Sequence, residues 1–132
     1  MSENAGINGI STIGIPVHDQ DAALAFYRDV LGFEVRVDTP LPQPGARWIM
    51  LAVPGTPVTV SLVAAGADVD GGVVVGVETG IRFSTADAEA THDYLRGHGV
   101  EAGELLRWPG VPPMFRATDV DGNHFEVVET QG

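Results

Sequence analysis

Few side chains in this sequence can do chemistry, and their spacing narrows what that chemistry is. There is no cysteine, hence no thiolate nucleophile, thiolate metal site or disulfide. No nucleophile elbow, phosphate-binding glycine loop or Ser/His/Asp arrangement is legible. Of the four histidines, His18 falls in a loop, His92 on a helix and His98 at that helix's end, where exposure or interaction with the helix C-terminus is ordinary. His124 stands two residues before Glu126, so in a strand both side chains face the same way. That pair can serve as a partial metal site or as proton carriers. Equally, Glu126 can be hydrogen-bonded within a cavity and His124 exposed beside a turn.

The remaining candidates suit binding better than bond-making. Trp48 and Met50 alternate on one face of an expected strand. Trp108-Pro109-Gly110-Val111-Pro112-Pro113-Met114-Phe115 reads as an aromatic loop stiffened by proline. Indole and thioether groups make wide, adaptable contact with flat aromatic ligands, and proline limits the entropy lost on closing over them. The expected ligand-binding set is therefore Trp48, Met50, Arg82, Trp108, Pro112, Met114, Phe115 and Glu126. Trp48 and Met50 can also be core or dimer contacts, and Arg82 can pair with Glu126 as readily as meet an acidic group.

These side chains need elements to position them. Ile13, Ile15 and Val17 alternate with small or polar residues, as in a half-buried strand within Ile10–Val17. Asp19 or Asp21 can cap a following helix whose apolar residues, among them Phe26, Tyr27 and Leu31, recur at helical spacing until Gly32 ends it. Strands are expected at Phe33–Asp38, Arg47–Val53 and Val58–Val63, separated by Pro/Gly-rich turns. Gly66–Val77 reads as a linker with a possible extra strand at Val73–Val75. The pattern then repeats: a strand at Gly80–Ser84, a helix over Ala86–Gly97, and strands at Val100–Leu106, Met114–Asp119 and His124–Glu129. An offset of 67 sets Tyr94 over Tyr27 and Gly99 over Gly32. The fold class is α+β, two βαβββ units at about 8–64 and 79–130 in one domain.

Composition sets the outer limits. A chain of 132 residues with 44% hydrophobic and 19% charged residues can bury one core and leaves no room for a second module. The formal charge of −11 repels a phosphate backbone, so nucleic acid is not an expected partner. Met1–Asn8 is polar, no apolar run reaches bilayer-spanning length, and cytoplasm is the expected location.

Four segments together resemble the glyoxalase/bleomycin resistance protein/extradiol dioxygenase superfamily, whose architecture is the vicinal oxygen chelate fold. They are Ile15-Pro16-Val17-His18-Asp19, Ala25-Phe26-Tyr27-Arg28-Asp29-Val30-Leu31-Gly32-Phe33, the stretch from Phe83 to Val100, and Asp119-Val120-Asp121-Gly122-Asn123-His124-Phe125-Glu126. The resemblance covers roughly residues 9 to 129. It implies curved mixed sheets, usually completed in a homodimer, whose concave face holds a metal, a substrate or a sequestered antibiotic.

The resemblance also supplies a test for metal. Metal-dependent relatives place a ligand on the first and last strand of each unit. Seven residues before Asp19 and Asp87 stand Thr12 and Gly80, and the last strands offer Ser61 and Glu126. Only Glu126 is a competent ligand, so no metal and no cofactor is expected. The reading that follows is a metal-free homodimeric binding protein resembling the antibiotic-resistance members, which sequesters a bulky aromatic antibiotic of the enediyne, mitomycin or bleomycin class. The alternative is a metal-dependent lyase, isomerase or dioxygenase of the same fold.

Overall fold

A computed structural model describes residues 5–42, 44–65 and 75–130. The chain is α+β, with two four-stranded mixed sheets. In the first unit, β1 (Ile13–Val17) leads through helix α1 (Gln20–Ala25) to β2 (Glu34–Pro40), β3 (Arg47–Ala52) and β4 (Thr59–Ala64), in sheet order β1-β4-β3-β2. In the second, β5 (Glu78–Thr85) leads through α2 (Ala88–Gly97) to β6 (Glu101–Ala102), β7 (Met114–Thr118) and β8 (His124–Glu129), in order β5-β8-β7-β6. First and last strands of each unit pair in parallel, and the other pairs are antiparallel.

Local chemistry explains the helix ends. Asp19, not Asp21, caps α1, accepting from the backbone N–H of Asp21 and Ala22, and Asp87 caps α2 through Ala90. Beyond Ala25 the helix widens into a π turn, Phe26–Val30, that the apolar spacing did not reveal. Gly32 and Gly99 stop the helices at φ of 81° and 78°, a conformation glycine adopts without a Cβ clash.

Three expectations need correction. The strand over Val100–Leu106 shrinks to Glu101–Ala102, with one further bridge between Leu106 and Met114. His92 is not a surface residue: its Nε2 lies 2.7 Å from the Gly103 carbonyl oxygen and its ring meets Phe115 edge-on beneath α2. Val75 lies in no strand, and the rest of the proposed extra strand falls outside the described residues, as does most of the expected linker.

One buried cluster spans both units, joining Ile15, Val17, Tyr27 and Leu51 of the first to Leu95, Phe115 and Phe125 of the second. The turn Asp119–Asn123 fastens them. The buried Asp119 carboxylate accepts from the Tyr27 hydroxyl (2.6 Å), the Asn123 side chain and the backbone N–H of Asp121 and Asn123. Asn123 also donates to the Pro16 carbonyl and accepts from Gly76 and Val77 N–H, while Asp121 accepts from His18 N–H. The two tyrosines placed over one another by the repeat both reach across: Tyr94 donates to the Val30 carbonyl, as Tyr27 does to Asp119. Burial, then the adjacent carboxylate, pushes the Tyr27 phenol far above its ordinary titration range.

Candidate functional site

Each sheet has one face under its helix and one open face. On sheet 1 the covered side carries Ile15, Ile49, Leu51, Val60 and Leu62, all essentially buried. By alternation, Pro16, Val37, Trp48, Met50, Ser61 and Val63 share the other side, where Met50 pairs with both Val37 and Ser61. A Cβ built on Gly14 would stand 3.4 Å from the Val63 side chain and 3.8 Å from Ser61 Oγ, which places all three on this face. The same face ends at Glu34, which pairs with Ala52 in the row beyond Met50 and is ion-paired with Arg36, and Trp48 is 39% exposed at the other edge.

The open face of sheet 2 differs in kind. Arg82, Glu126 and Arg116 lie side by side across three strands, with Met114 and His124 in the flanking rows. Arg82 Nε forms an ion pair with Glu126 Oε1 at 3.0 Å, and Arg116 pairs with Glu78. His124 Nδ1 is 3.0 Å from Thr118 Oγ1. The Trp108–Val111 turn, closed by a bond from Val111 N–H to the Trp108 carbonyl, leaves Trp108 56% exposed and Pro112 exposed beside it.

The expected site residues thus fall into three groups. Trp48 and Met50 share sheet 1's open face, Arg82, Met114 and Glu126 share sheet 2's, and Trp108 and Pro112 crown the β6–β7 connection. Phe115 leaves the set. It is fully buried on the opposite side from its neighbour Met114, because adjacent strand residues point to opposite faces. Arg116 belongs in its place, and the same period of two, counted from Met114, carries the signal that finds it. Three concavities of the chain, of about 540, 350 and 180 Å³, are lined by helix, turn and inter-unit residues instead.

The register tests the metal positions. Gly14, five residues before the cap Asp19, pairs with Ser61, and Arg82, five before the cap Asp87, pairs with Glu126. Ser61 and Glu126 therefore occupy equivalent places in the two units. Thr12 precedes β1, its Oγ1 buried without a hydrogen-bond partner among the described residues, and Gly80 offers no side chain. Two hydroxyls, a glycine and one carboxylate held by an arginine do not fit a catalytic metal, which takes about three imidazole, carboxylate or thiolate ligands. Among the described residues no three His, Asp or Glu gather closely enough to hold one.

Residues 9–127 match the Glyoxalase/Bleomycin resistance protein/Dioxygenase superfamily. The chain belongs to that superfamily. A member from Sphaerobacter thermophilus DSM 20745 is 31% identical, with a TM-score of 0.81 over 94% of this chain and 98% of its own. TnmS3, an antibiotic binding protein from Streptomyces sp. CB03234, is 24% identical, with a TM-score of 0.78 over 97% and 100% of the two chains. A lactoylglutathione lyase from Agrobacterium tumefaciens, also 24% identical, has a TM-score of 0.69 over 93% and 94%. The last two likenesses establish the fold alone, and the superfamily fold carries both binding proteins and enzymes. No curated protein sequence matches the chain.

Proposed function

We propose that this superfamily member binds a bulky, flat aromatic natural product, of the enediyne, mitomycin or bleomycin class, and sequesters it chemically unchanged and without a metal. The cleft is walled by the open faces of the two sheets and closed by a second copy of the chain. One observation carries the reading: sheet 1 groups the uncharged Trp48, Met50, Val63 and Pro16 on the face away from its helix, partly exposed among the described residues, in a chain of net charge −11. Such a face, on a protein this acidic, marks a binding surface. The likeness to TnmS3 supports the same choice, and the donor set at Thr12, Ser61, Gly80 and Glu126 favours it over metal-assisted chemistry.

Tryptophan fluorescence tests it directly. Titration with a panel of polycyclic aromatic antibiotics should quench emission saturably, and mass spectrometry should recover the compound unaltered. Unchanged fluorescence across the panel, or a ligand turned over during incubation, overturns the reading.

A further inference from the structure

The largest of the three concavities, about 540 Å³, lies where the two units meet and is lined by none of the cleft residues. The π turn after α1 supplies Phe26, Asp29 and Val30, and the second unit supplies His98 through Glu101 and Thr118 through Val120. Its volume is that of a small-molecule site. A π turn inside a helix recurs at functional sites, and the matching helix of the other unit, α2, stays regular through Gly97.

Charge in this cavity does not cancel. Its ionisable lining residues are Asp29, His98, Glu101 and Asp119, with no arginine among them, and the chain has no lysine. Arg28 neutralises Asp29, five other arginines pair with carboxylates elsewhere, and Arg96 gives its Nε–H and an Nη2–H to the Ala102 carbonyl. Glu101 therefore has no ion-pair partner among the described residues. Asp119, buried in the wall, is held only by neutral donors: the Tyr27 hydroxyl, the Asn123 amide and two backbone N–H groups. Even with Arg96 set against Glu101, the Asp119 charge remains.

The helix ends add to that field. The π turn ends at Val30 and α2 ends at Gly97 with His98 as its cap, so two C-terminal ends, each carrying partial negative charge, meet at one cavity. His98 Nδ1 lies 2.8 Å from the Tyr94 carbonyl oxygen, which only accepts, so a neutral His98 offers its Nε2 as one more acceptor. Phe26, Val30, Val100 and Val120 make the remaining wall apolar.

We infer that this cavity is a second binding site, separate from the cleft, and that it takes an organic ammonium ion: the apolar body lies against Phe26 and Val100, and the N–H donors meet Glu101 within the field of Asp119 and the two helix ends. The net charge of −11, which repels nucleic acid, draws such a cation in. A carboxylate on the ligand would meet the same field and be turned away.

Calorimetric titration of the full chain with 2-phenylethylamine and with its uncharged analogue 2-phenylethanol tests the site. The amine should bind about tenfold tighter or more. Glu101→Gln should bring the ratio of the two affinities towards one, whereas Asp93→Asn, at an exposed carboxylate outside the cavity, should leave it unchanged. Ala22→Phe, at an exposed position on the cavity wall, should fill the space and weaken both compounds. Equal affinities in the unaltered protein, a ratio that survives Glu101→Gln, or one that Asp93→Asn lowers as far, overturn the ammonium site. Binding of neither compound overturns it too. Binding lost in Trp48→Ala and kept in Ala22→Phe moves the amine to the cleft and overturns this site while leaving the cleft in place.

Discussion

At the scale of single residues, the side chains that bind and those that hold the fold are separate sets. Trp48 is half-exposed at the edge of its sheet face, so Trp48→Ala should leave the folded state nearly intact and weaken an aromatic ligand by about tenfold, read as loss of fluorescence quenching. Tyr27 behaves in the opposite way. It is buried, and Tyr27→Phe removes one donor from the Asp119 carboxylate, which should cost about 1–3 kcal/mol in denaturant unfolding without altering ligand affinity. Its raised pKa also sets a pH window. Below pH 10 the phenol is neutral in both states and its contribution is complete; as pH rises past 10.0 the unfolded chain ionises and the folded one resists, so stability falls. The unfolding midpoint should drop more steeply above pH 10 in the unaltered protein than in Tyr27→Phe.

At the scale of elements, the Asp119–Asn123 turn does more than join β7 to β8. Asn123 is completely buried and touches Pro16, Asp119, Gly76 and Val77, so one side chain ties the first strand of unit one to the start and end of the second unit's sheet. Asn123→Ala should cost about 2–4 kcal/mol and lower the thermal midpoint more than an N-cap loss such as Asp87→Ala, for which about 1 kcal/mol is expected. Differential scanning calorimetry on the two variants checks the order. The exposed Trp108 turn makes no comparable ties, and deleting its indole should register in ligand binding before it registers in melting temperature.

At the scale of the whole molecule, hydrogen bonds and ring contacts between the units join helices, turns and the first strands of both sheets, as in Tyr27–Asp119, Tyr94–Val30, Asn123–Pro16 and Phe33–Phe83. Each chain therefore offers a largely apolar open face, partly exposed among the described residues, and a two-fold symmetric dimer is the simplest way to cover it. Light scattering at micromolar concentration should report twice the mass of one chain, and a monomer there contradicts the closed cleft. Elemental analysis of the purified protein should find no stoichiometric Zn, Fe, Mn or Ni. One metal per chain, lost in Glu126→Ala, would sink the binding reading and restore an enzyme.

Much of this was legible in the sequence because it depends on local periodicity. Alternation in Ile13–Val17, an aspartate cap at Asp19 or Asp21, and glycines at both helix ends are properties of a few neighbouring residues, and they defined both units and their repeat. The same period of two already separates Met114 from Phe115, although reading the Trp108–Phe115 stretch as loop concealed it. What local pattern does not contain is which strands pair and in what register. Only the tertiary structure set Arg116 beside Glu126, matched Ser61 to Glu126 across the two units, turned His92 inward onto Gly103, and bound Tyr27 to an aspartate 92 residues away. Those placements are long-range, fixed by burial of two sheets against one shared core, and no window of the sequence records them.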